Sequence, residues 1–213
     1  MNQNSPIPHF IELDKSDIQE AEKIPAFDLE SALLELDGYI KKFECALQIF
    51  DYSRGRKEEL LKDIEYDMSD FFNMMGWERV AARDGAMTIW HFAKCLAGIR
   101  SRLNEVPTIN AKVNHTELRT AAKLFESKFK DFEDVRNAVA HIAELHKNSQ
   151  ASDFNSIHAA GGSHRMSENF HGRTFASSFE GKLVHYTVSQ ETLNDLIAIK
   201  DRAFDAFSGA TRT

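Results

Sequence analysis

The stretch DLESALLELDGYIKKFECALQIF, from Asp28 to Phe50, decides the fold class. Its apolar residues Leu33, Leu36, Ile40, Phe43, Leu47 and Phe50 recur alternately three and four positions apart, a spacing that only an α-helix gathers on one face. Asp28 stands where a helix N-cap belongs. The same reading extends outward. Ser53-Arg54-Gly55 reads as an interruption, and Lys57 to Met75 as a second helix bearing Leu60, Leu61, Ile64, Met68, Phe71 and Phe72, with Gly76 as its C-terminal cap. Trp77 to Leu103 then places Ala81, Gly85, Ile89, Phe92, Leu96, Ile99 and Leu103 on one stripe. Gly85 admits a close neighbour there, and Pro107 ends the helix.

Further along, Asn114 or Thr116 caps a helix through Leu118, Ala122, Phe125 and Phe129. Asp131 with Asp134 opens another, which runs to about Lys147. Residues 148–172 lose periodicity, contain Gly161-Gly162 and several serines, and read as a long surface loop. Phe175, Ser177 and Phe179 alternate, Glu180-Gly181 makes a turn, and Leu183, Val184, Tyr186 and Val188 are strand formers, so a β-hairpin is expected. Ser189 caps a last helix with Leu193, Leu196, Ile197, Ile199, Ala203, Phe204 and Phe207 on its apolar face. The expected organisation is a weakly anchored lead (1–26), a helical bundle (27–147), a flexible loop (148–172), and a hairpin plus C-terminal helix packed on the bundle (173–213).

Composition narrows the function. In 213 residues, 26 Lys and Arg stand against 33 Asp and Glu, a net charge of -7. That excludes a protein that coats nucleic acid through a broad basic surface, and it leaves room for a small cationic pocket. Two cysteines, Cys45 and Cys95, are too few for a disulfide scaffold and read as buried small hydrophobes. No apolar run approaches the roughly 18 residues of a bilayer-spanning helix, and the first ten residues carry no basic, apolar leader. A cytoplasmic protein without a membrane partner is expected.

The stretch richest in chemistry is DFEDVRNAVAHIAEL, Asp131 to Leu145. On a helix, Val135, Ala138, Ile142 and Leu145 form the core side, which gathers the polar residues elsewhere. Asn137 and His141 lie on adjacent turns, and Arg136 sits about 100° round from Asn137 with only the methyl of Ala140 between the rows. A guanidinium and an imidazole then converge. Imidazole titrates near neutrality and suits proton transfer, while guanidinium stays charged and forks onto phosphate oxygens.

This arrangement resembles the R-x4-6-H motif of the HEPN superfamily, with Arg136 and His141 at the motif positions and Asn137 at the polar position beside the arginine. Arg165 and His171 also fit the bare spacing, but they lie in the Gly/Ser loop rather than on a capped amphipathic helix. The resemblance extends loosely to the helices from Asp28 onward, including Arg83 to Phe92. It implies a mainly α, HEPN-like helical bundle carrying the small hairpin and C-terminal helix. It also implies a metal-independent endoribonuclease of a defence or toxin system, acting on RNA as a homodimer whose two motif helices share one composite site, with an antitoxin or another protein as partner. Under it, His141 is the general acid/base, Arg136 the phosphate stabiliser and Asn137 their support, with no cofactor and no metal.

Plainer readings stand beside this one. Arg136 pairs with Glu133 or Asp134 on an ordinary helix face, or the fold serves as a non-catalytic binding or assembly protein for RNA, a nucleotide or a protein. His158, His164, His171 and His185 match no compact metal-ligand spacing. Trp90-His91, between Ile89 and Phe92, reads as part of a packed helix. Arg165 and Arg173 are charges that the loop can offer to RNA.

Overall fold

The computed structural model describes residues 11–63, 65, 67–143, 147–159 and 161–212. The fold is mainly α, with seven α-helices and two small antiparallel sheets among the described residues. In chain order these are α1 (Lys23–Leu60), α2 (Met68–Leu103), α3 (Pro107–Asn110), α4 (His115–Lys128), α5 (Phe132–Ala140) and α6 (Ser149–Phe154). The strands β1 (Ile157–Ala159), β2 (Gly162–His164), β3 (Asn169–His171), β4 (Thr174–Phe179) and β5 (Lys182–Thr187) follow, then α7 (Gln190–Asp205).

Two long helices replace the three expected between Asp28 and Leu103. Gly55 lies inside α1 and Gly76 inside α2, so neither breaks nor caps a helix. Ion pairs carry the backbone through the first position: Arg54 reaches Glu58 at 3.3 Å and Arg56 reaches Glu59 at 2.6 Å, both at helical spacing. The break between the helices falls after Leu60 instead, and Asp67 Oδ1 accepts from the Ser69 amide at 2.7 Å at the start of α2. Lys57 Nζ then donates to both carboxylate oxygens of the buried Glu78, at 2.7 and 2.6 Å.

The chain forms two compact units built from discontinuous stretches, a different division from the consecutive segments read off the sequence. The first comprises residues 1–41, 91–128 and 195–213. Its buried residues include Leu29, Leu33, Leu36, Phe92, Leu96, Ile99, Leu118, Phe125, Leu196 and Ile199 on α1, α2, α4 and α7, and Phe207 just beyond α7. The lead, expected to be weakly anchored, is held at Leu13. That residue is buried and bridges Thr211, while the Asp14 amide donates to Ala210 O at 2.8 Å.

The second unit comprises residues 42–90 and 129–194, with Phe43, Phe50, Ala82, Ile89, Val135, Phe175 and Val184 in its core. The expected hairpin is present as β4 and β5, paired from Thr174↔Thr187 to Phe179↔Lys182. Its turn residues Glu180 and Gly181 both have positive φ, 49° and 74°, as a two-residue turn that follows strand twist requires. The stretch 148–172, expected as loop, contributes α6, the β1–β2 ribbon and β3, which pairs with β4. β4 lies between β3 and β5, and Phe175 to Phe179 are all buried, so the expected alternation in β4 is lost. Helix α5 packs against β4 and β5.

Candidate functional site

Helix α5 presents the motif residues, and it is shorter than its sequence suggests. It ends at Ala140 rather than near Lys147: His141 is the C-cap, at φ -110° and ψ 22°, with its amide donating to Asn137 O at 3.1 Å. Val135, Ala138 and Val139 are buried toward the sheet and Ile142 is half-buried, while Leu145 lies outside the described residues. Asn137 and His141 therefore do not share a continuous helical face. Arg136 and Asn137 project from the last turns of α5, and His141 from the residue that leaves it.

The three side chains nevertheless meet. Arg136 Nη1 donates to Asn137 Oδ1 at 2.9 Å and lies 3.4 Å from His141 Nε2. A guanidinium can only donate, so Nε2 is the acceptor in this contact, and the ring proton belongs on Nδ1. The guanidinium carbon lies 4.8 Å from the centre of the Trp90 ring, a cation–π contact. Among the described residues no carboxylate pairs with Arg136. Asp134 instead faces Lys182 at 3.5 Å, so the plain Arg136–Asp134 pair is not formed. Arg136 Nε is buried and has no hydrogen-bond partner among the described residues.

Asn137 and His141 open onto a cleft of about 710 Å³, whose walls also carry Lys147, Gln150, Phe154 and Phe179. Arg136 is not on this wall and touches it through Asn137 and His141. Trp90, read from the sequence as a core residue, is half-buried and supplies the platform under Arg136. The α6 residues of the wall lay inside the expected loop. Nothing in their periodicity tied them to α5, because the connection is made by the fold.

The remaining candidates are placed elsewhere. Arg165 and His171 stand apart: Arg165 Nη1 donates to Ser152 Oγ at 2.7 Å, and His171 lies in β3 opposite Thr174. Arg173 is engaged by Asp51 at 2.5 Å, by Val188 O at 2.7 Å and by the Phe50 ring at 5.3 Å, so it holds the sheet and is not a free charge for RNA. His158, His164 and His185 occupy β1, β2 and β5, and among the described residues no group of three His, Cys, Asp or Glu is placed to hold a metal ion. His91 stacks on Tyr39 at 5.8 Å between ring centres. Cys95 is buried as expected, whereas Cys45 is exposed. No helix among the described residues is long and apolar enough to cross a membrane.

Compared with models of protein families, with curated proteins and with solved structures, the chain matches none.

Proposed function

We propose that the protein is a metal-independent, HEPN-type endoribonuclease in which His141 is the general acid/base, Arg136 the electrostatic partner and Asn137 the residue that orients them. The observation that carries this reading is the 3.4 Å approach of Arg136 Nη1 to His141 Nε2 beside an open cleft. RNA brings its own nucleophile. When a substrate phosphate draws Arg136 Nη1 away, the Nε2 lone pair of His141 is released and takes the proton of a ribose 2′-OH, and the 2′-oxygen bonds to the adjacent phosphorus as the bond to the 5′-oxygen breaks. The products are a 2′,3′-cyclic phosphate and a 5′-OH. The departing oxygen needs a proton that a single neutral imidazole has not yet acquired, so the reading includes a homodimer in which a second His141, protonated, supplies it. The fixed charge of Arg136 stabilises the extra negative charge on the phosphoryl group. A cytoplasmic setting and a role in a defence or toxin system, with a protein antitoxin as partner, belong to the same proposal.

One observation favours a second reading, a non-catalytic protein that binds RNA, a nucleotide or a protein partner. Arg136 is held by Trp90, Asn137 and His141 and does not line the cleft.

The deciding experiment incubates the purified protein with mixed RNA in EDTA, beside His141→Ala and Arg136→Ala. Cleavage that ends in cyclic phosphate and is lost in both folded variants supports the enzyme. Intact RNA at every protein concentration supports the binding protein, and a strictly monomeric mass by light scattering during cleavage removes the composite site.

A further inference from the structure

The cleft beside His141 carries an aromatic ring that the core does not use. Phe154, the last residue of α6, is 63% exposed and shares the cleft with Asn137 and His141. Its backbone is pinned. Asn148 Oδ1 accepts from the Ala151 amide at 2.8 Å at the start of α6, and the buried Asn155 donates Nδ2 to Ala151 O at 2.8 Å. Asn155 Oδ1 accepts from the Glu180 amide at 3.0 Å, which ties this turn to the β4–β5 hairpin, and Ser156 Oγ donates to Ser152 O at 2.7 Å. A phenylalanine on so firmly tied a turn, with most of its surface in water, gains little from burial. Lys147 and Gln150, both exposed, share its wall, and among the described residues no carboxylate lines the cleft.

We propose that Phe154 is a stacking platform for an unpaired base beside the scissile phosphate, with Gln150 toward the polar edge of that base and Lys147 toward a flanking phosphate. The substrate class is therefore single-stranded RNA. This inference rests on the ribonuclease reading of the same cleft. Stacking on a side chain requires an open base face, and in a duplex the neighbouring bases cover both faces. Stacking tolerates any base, so recognition here favours strandedness over sequence, and a lysine adds attraction for the backbone without the broad basic surface that this acidic chain lacks.

The test uses the full chain carrying His141→Ala, so that RNA is not cut, and fluorescence anisotropy with a labelled single strand and the corresponding duplex at one salt concentration. The single strand is expected to bind more tightly. Adding Phe154→Ala is expected to weaken it by about 5- to 150-fold, and Phe154→Trp to restore it. Circular dichroism melts establish that each variant is folded. An unchanged Kd in Phe154→Ala, equal affinity for the duplex, or no RNA binding by the parent each overturns the platform. The two readings fail separately. RNA cleavage by the natural chain with KM unaltered by Phe154→Ala removes the platform and leaves the nuclease, whereas Phe154-dependent binding without cleavage leaves the platform and removes catalysis.

Discussion

The guanidinium of Arg136 rests on the Trp90 ring, 4.8 Å from its centre, and from there extends Nη1 to Asn137 and toward His141. The indole comes from α2, so a half-buried aromatic residue sets the direction of the charged one. Without the ring, Arg136 keeps its charge and loses its aim.

On the proposed ribonuclease reading, Trp90→Leu is expected to lower RNA cleavage without abolishing it. A cation–π contact is worth about 0.5–2 kcal/mol, or roughly 2- to 30-fold in rate. Trp90→Phe, which keeps a weaker ring face, should fall between. Single-turnover cleavage rates measure this, and a Trp90→Leu variant as fast as the parent shows that the ring does not serve the site.

Glycines inside the long helices separate two physical situations. A methyl group at Gly85 would lie 2.7 Å from the Tyr186 hydroxyl and 3.3 Å from Phe43 Cε2, and that hydroxyl is the donor to Ala82 O. Gly85→Ala is therefore expected to destabilise the protein by about 1–3 kcal/mol through overpacking. At Gly76 and Gly55 a methyl meets nothing within 4 Å, and both sit in helix interiors. Alanine there should stabilise by about 1 kcal/mol each, because helix propensity is all that changes. Urea denaturation of the three single variants checks both signs.

The same glycines show where sequence reading reaches its limit. The stripe from Leu33 to Phe50 was legible because burial selects one helical face, and the hairpin because Glu180-Gly181 supplies the two positive φ angles that its turn needs. Gly55 and Gly76 read as punctuation yet lie inside helices, since nothing local distinguishes a glycine tolerated inside a helix from one that ends it. Arg136, Asn137 and His141 were legible as a cluster, although the continuous helix expected to bring them together was not found. His141 is aimed by a helix C-cap, and Trp90 and Phe154 come from segments that no periodicity connects to α5. The strands within 148–172 are too short and polar to stand out, and their pairing depends on partners elsewhere in the chain.

Cys95 should behave as a protected thiol. Its Sγ donates to Ala32 O at 3.1 Å. Burial, with a smaller contribution from the negative charge of Glu35, pushes its pKa from 9.0 up to about 12. The folded state thus holds the proton that the unfolded chain releases above pH 9.0. This contribution to stability is complete below that value and is lost as pH rises toward about 12. With a thiol-specific chromogenic reagent at mildly alkaline pH, the exposed Cys45 should react at once and Cys95 only on unfolding. Two equally fast thiols in folded protein would contradict the buried placement, and Cys95→Ala should flatten the alkaline loss of stability.

At the acid end the corresponding group is Glu22, which is buried just before α1. Its carboxylate accepts the Thr108 hydroxyl at 2.6 Å, the Thr108 amide at 3.0 Å and the Gln19 amide at 3.1 Å. The hydrogen bonds from Thr108, with the smaller one from Gln19, outweigh burial and hold the pKa below its ordinary 4.5. The sign is therefore opposite to that of Cys95. The stabilisation is present above pH 4.5 and disappears as pH falls through the lower folded value. Glu22→Gln replaces one acceptor oxygen by an NH₂ that can only donate, so a donor must face Thr108 or Gln19. The variant should be less stable than the parent at pH 7 and should show a shallower decline on acidification, the two converging well below pH 4.5. Urea midpoints across that range measure this. Parallel curves for parent and variant would show that Glu22 does not titrate with folding, and Thr108→Val, which deletes only the hydroxyl donor, should reproduce part of the change.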